Sequence, residues 1–149
     1  MSRATPQMRH FANRLVAYQA SAMNSSKTVT PASFPVCEKL RLCLGTYLGK
    51  GGFHALMARS LALSIEEVPR LGGVHVQADG SLAGLAELQA QHSPADFARD
   101  EVILVAQLLG LMLLFIGEKL TLHLVRDVWP DLPFGTSNFN ATNLNEKSS

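Results

Sequence analysis

Charge is scarce in this chain, and so are aromatics and cysteine. Of 149 residues, 17% are charged and 7% are Phe, Trp or Tyr. An average globular domain carries about 25% charged residues. With 47% hydrophobic residues, the composition excludes a disordered chain. It also leaves more apolar surface than one small monomer hides easily. The formal net charge is +1, and no basic stripe follows a helix-turn-helix pattern, so nothing points to nucleic acid. Cys37 and Cys43 are too few for a disulfide scaffold. On one helix their spacing would set them about 9 Å apart along the axis and about 120° apart around it, too far to bridge. They read as small buried hydrophobes of a reducing cytoplasm. No compact apolar core followed by a small-residue cleavage site marks a secretory signal. The longest apolar run, 102–117, spans about 24 Å as a helix against roughly 30 Å of hydrocarbon. It reads as a core helix rather than a membrane span.

Catalytic signatures are missing as well. His10, His54, His75, His92 and His123 include no pair at the spacing of four that places two metal ligands on one helix face. There is no Gly-x-Ser-x-Gly elbow. Gly49-Lys50-Gly51-Gly52 lacks the spacing and the hydroxyl of a phosphate-binding loop, and reads as a helix C-cap and turn. Glu66-Glu67 and Asp100-Glu101 are adjacent acids, which point about 100° apart on a helix. They read as surface acids or as acids at a helix start. No catalytic, cofactor-binding or metal-binding residue is assigned, no cofactor is expected, and a non-enzymatic protein is favoured.

What the sequence does carry is helix periodicity. Met8, Phe11, Leu15 and Tyr18 form a stripe within a helix over 5–22. That segment belongs to a basic arm, since residues 1–33 hold Arg3, Arg9, Arg14 and Lys27 and no acid. Residues 21–35, rich in Ser, Thr and Asn, read as a flexible linker. Residues 34–132 hold eight bases against eleven acids and form the body. Pro35 opens a helix with Cys37, Leu40, Leu44 and Tyr47 on one face. A second helix, 52–68, carries Phe53, Leu56, Met57, Leu61, Ile65 and Val68, and Pro69 ends it. Val74, Val76 and Ala78 alternate with polar residues before Asp79-Gly80, which predicts a small hairpin with a two-residue turn, up to about seven residues a side. Ser93-Pro94-Ala95-Asp96 is a helix start, expected to give a short turn through Phe97. Asp100 is then expected to cap a separate helix, 101–116, apolar nearly all round and therefore enclosed. Gly117 permits a bend into a last helix, 118–129. Residues 133–149 read as a disordered tail.

One resemblance adds to this. Val36-Cys37-Glu38-Lys39-Leu40-Arg41, Gly52-Phe53 through Leu63, Glu67-Val68-Pro69, Val76 through Leu82, Ala106 through Leu111, and Ile116-Gly117-Glu118 through Pro130 resemble a group of short bacterial proteins with no assigned activity. The basic helix at 9–16 is similar too. The resemblance implies a bacterial source and makes an organelle transit peptide a poor reading of the basic arm. It carries over no activity and no residue role.

The expectation is a mainly α-helical domain of four to five helices with one short β-hairpin. Its expected role is that of a cytoplasmic regulatory or adaptor module acting through protein–protein contacts, with the basic helix as its movable part. A homodimer about helix 101–116 or the last helix would bury the apolar surplus. The competing readings are a small-ligand binder or enzyme with an inter-helix pocket lined by His54, Arg59, Gln107 or Glu118, and a membrane-associated helical protein. A deep cavity where those polar groups converge favours the binder. A flat apolar patch favours the adaptor.

Overall fold

A computed structural model describes residues 6–24 and 34–130. The expected linker (apart from its ends) and the expected tail lie outside the described residues. The described chain is mainly helical with one two-stranded antiparallel hairpin. In order it contains α1 (Pro6–Asn24), α2 (Pro35–Glu67), a 3-10 turn (Pro69–Gly73), β1 (His75–Val76), β2 (Leu82–Ala83), α3 (Leu85–Gln91) and α4 (Pro94–Val128). The helix α1 runs through Asn24, past the start of the expected linker.

Two glycines break the long helices. Gly49 in α2 has φ 79° and ψ 168°, and Gly117 in α4 has φ 87° and ψ 163°. This backbone region is essentially open to glycine alone. Each break turns the chain back on itself. Val36 at the start of α2 bonds to Glu101, and Arg70, just past its end, bonds to Asp100. A straight helix from 36 to 67 would hold those ends about 46 Å apart, yet they meet on consecutive residues. The break in α4 has the same effect. Val16 and Val102 share a groove, while Gln19, one turn further along α1, accepts a hydrogen bond of 2.9 Å from Trp129 Nε1. Straight helix would put 102 and 129 about 40 Å apart. The fold is therefore a bundle of α1 and two helical hairpins, 35–48 with 50–67 and 94–116 with 118–128. Both glycine turns lie at one end, and the Asp100–Glu101 pair lies toward the other.

No neighbouring atom lies within 4 Å of where a Cβ on Gly117 would sit. Replacing it by Ala thus tests backbone strain without a steric clash. Gly117→Ala is expected to destabilise the protein by about 2 kcal/mol, read as a shift in urea midpoint with an unchanged m-value.

The core is one cluster running through every helix. Met8, Leu15, Leu40, Leu44, Phe53, Met57, Leu104, Leu108 and Leu111 are almost fully buried. Helix α1 belongs to this cluster, with Phe11, Ala12 and Val16 also buried, and Arg9 pairs with Glu67 across the bundle. Cys37 is buried and Cys43 is half-buried, and both are free thiols. Burial pushes both upward in pKa, with nearby carboxylates adding to the effect.

Three local expectations need correction. First, α4 begins at Pro94 behind the N-cap Ser93, whose Oγ accepts from Asp96 N–H at 3.1 Å, and continues without a break to Gly117. Ala98 and Arg99 are good helix formers, so nothing stops the helix before Asp100. Second, each hairpin strand is two residues long, with His75 opposite Ala83 and Val76 opposite Leu82. Gly80 N–H bonds to Gln77 O at 2.8 Å, and Gln77 N–H bonds to Ser81 O at 2.7 Å. The connection is thus a three-residue turn with Gly80 as its bulge, not a two-residue one. Asp79 holds the turn by accepting from Ser81 N–H at 2.9 Å. Third, α4 is not enclosed along its whole length. Residues 103–109 are buried, but Leu114 is 58% exposed and Phe115 is 67% exposed. The stretch Ala95–Val128 contains a window of mean hydropathy 2.0, of which 61% is buried.

Candidate functional site

Chemistry concentrates at the two ends of the bundle. Toward one end, Asp100 and Glu101 occupy consecutive positions in α4, and both are buried. The Asp100 carboxylate accepts two bonds from Arg70, from Nε at 3.0 Å and from Nη2 at 2.5 Å. This bidentate fork comes from the 3-10 turn that follows α2. Glu101 Oε2 accepts from the Val36 N–H at 2.9 Å, and Cys37 N–H donates a second bond. These are orphan donors of the first turn of α2, where Phe34 offers no side-chain cap. A residue 65 positions away therefore supplies the N-cap. Burial pushes the Glu101 carboxyl up to about 7, against the two backbone donors that pull it down.

The reading of this acid pair as surface or helix-start residues is corrected here, since both carboxylates hold α2 in place. Arg70 was not singled out from sequence. A usable signal existed: two acids directly before a long uncharged run, with an Arg just after the proline that ends the preceding long helix.

At the glycine-turn end, α2 and α4 leave a groove of about 570 Å³. Gly52, Ala55, Leu56 and Arg59 line one side, together with Leu48. Their spacing of three and four puts them on one helical face. Leu111, Met112, Leu114, Phe115 and Ile116 form the other side. The groove exists because Gly52 and Ala55 are too small to fill the space opposite Leu111 and Phe115. Arg59 is its one charged lining residue, and its side chain has no ion pair or hydrogen bond among the described residues. The other three pocket candidates are not in the lining. His54 is half-buried on the same helix, Gln107 is fully buried deeper in α4 with a partner of its own, and Glu118 is half-buried just beyond Gly117. The structure does not bring the four together in this groove.

A second groove, of about 640 Å³, lies between α1 and the start of α4, lined by Arg9, His10 and Arg99 over Val16, Ala98 and Val102. Arg9 is already committed to Glu67 there. Among the described residues, no group of three or more His, Cys, Asp or Glu is arranged to hold a metal ion.

No family model matches the chain, and no curated protein and no solved structure is significantly similar to it.

Proposed function

We propose that the protein is a helical docking module whose glycine-turn end receives an amphipathic helix of a partner protein. The supporting observation is the exposure of large apolar side chains there. Leu42, Tyr47, Leu114, Phe115 and Leu120 are 37% to 67% exposed, and all lie within seven residues of Gly49 or Gly117. Isolated exposed hydrophobes are ordinary, but two of these, Leu114 and Phe115, themselves line an apolar groove, and such a patch marks an interaction surface. A helix laid in a groove buries its apolar face by the same packing that builds the bundle. The lining brings in a single polar candidate, Arg59, so the end suits packing rather than acid–base chemistry.

The test is the paired surface variant Leu114→Glu/Phe115→Glu, compared with the unaltered chain. Both side chains are exposed, so thermal stability is expected to stay within about 1 kcal/mol. A partner that copurifies stoichiometrically with the unaltered chain is expected to be lost from the variant. Retention of the same partner would remove this end as the docking surface. The partner is a second copy if light scattering gives a mass near twice 16.1 kDa that the variant halves.

A further inference from the structure

We propose that the groove between the two glycine turns is a binding site for a single-chain amphiphile with an anionic head, its hydrocarbon lying between α2 and α4 and its head paired with Arg59. The inference goes beyond the docking reading and does not need it: the amphiphile fills the groove when no partner helix lies over it, and the isolated chain suffices to test it.

The volume of about 570 Å³ falls in the range of small-molecule sites, which are mostly apolar with few polar groups fixing orientation. Among the lining residues, Gly52, Ala55, Leu111, Met112 and Phe115 offer a side-chain lining with no hydrogen-bonding group. Hydrocarbon fits such a surface, and a polar ligand would lose its hydration there without replacement.

Arg59 determines the head. Its guanidinium is a fork that matches carboxylate or phosphate oxygens. No acid among the described residues pairs with it. The Arg9 guanidinium in the other groove is held by Glu67, and Arg70 is held by Asp100. Arg59 is exposed where it borders the apolar lining, so a head group can reach it while keeping part of its hydration. From Gly52 to Arg59 the helix rises about 10 Å, which sets a chain of medium length rather than the span of a bilayer leaflet.

Binding is measured by calorimetry on the full chain with monomeric decanoate and decyl phosphate, and with decanol and decyltrimethylammonium as comparisons. Either anion is expected to bind one to one, and the tighter of the two identifies the head. Decanol and the cation are expected to bind at least tenfold more weakly. Shortening the chain from decanoate to octanoate is expected to weaken binding about fourfold per methylene, equivalent to ~0.8 kcal/mol each. Arg59→Ala should weaken the anions about tenfold and leave decanol unchanged. Ala55→Trp, which fills the groove from an exposed position, should abolish binding while the circular dichroism stays helical. Equal affinity for anion, alcohol and cation would overturn the proposal, as would binding that survives Ala55→Trp in a folded protein. So would capture of the chain by phosphatidylglycerol vesicles without competition from monomeric decanoate, which would assign the surface to a bilayer.

Discussion

Replacing Arg70 by Ala is expected to cost about 3 kcal/mol of stability. The cost comes from its partner. Asp100 has a side chain with 0% exposure, and removing the guanidinium leaves a buried carboxylate with no counter-charge. Breaking a buried pair from one side costs roughly 3–5 kcal/mol. The lower end applies because about a third of the Arg70 side chain meets solvent. Two features of the structure deepen the effect. The pair pins the far end of α2, and it sits one residue from the carboxylate that caps the near end. Adding Asp100→Asn removes the stranded charge, so the double variant is expected to recover at least half of the loss. Urea denaturation of the two variants and the parent reads both numbers. A loss below 1 kcal/mol in Arg70→Ala would show that water takes over the role of Arg70.

A pH dependence centred on Glu101 is the second large expected effect. Its ordinary carboxyl value is near 4.5, and in the folded protein burial raises it to about 7. Between those values the folded state holds a proton that the unfolded state has released. Stability is therefore fully present below about pH 4.5, falls as pH rises, and reaches its lower plateau above about pH 7. The loss amounts to about 3 kcal/mol for this group. Glu101→Gln keeps an oxygen to accept from Val36 and removes the titration. Its stability curve is expected to be flatter by that amount between pH 4.5 and 7.5. Glu101→Ala, which also leaves the first-turn donors of α2 without an acceptor, is expected to be destabilised at every pH in the window. Parallel curves for the parent and Glu101→Gln would show that Glu101 keeps an ordinary pKa.

Much of the architecture was legible in local chemistry. Gly49 and Gly117 marked the ends of helices because a chain of L residues has few other ways to break sharply. Ser93-Pro94 marked the start of α4 because a hydroxyl acceptor and a missing N–H both suit a first turn. The small hairpin was visible in Asp79-Gly80, although its bulge was not, because two- and three-residue turns use the same residue types. The hidden features all depend on distant parts of the chain. Asp100 and Glu101 looked like solvated acids because their partners, Arg70 and the backbone of Val36, come from elsewhere in the sequence. The apolar groove was hidden for a similar reason. Gly52 and Ala55 leave a gap only once Leu111 and Phe115 are placed opposite, and neither helix reveals that alone. Arg59 stands out in the sequence as a candidate to line an inter-helix pocket. It lies exposed at the edge of that gap.

The folding back of α2 also constrains how such a chain can change length. Val36 and Arg70 are anchored to neighbouring residues of α4, so the difference in rise between the outward and return segments of α2 is fixed. Inserting a turn into one segment alone would pull one anchor away by about 5 Å. Matched insertions on both sides of Gly49 would leave both anchors seated and carry the apolar tip further out. Length variation is thus admissible in pairs, which makes the reach of the tip adjustable while the anchored base keeps its geometry.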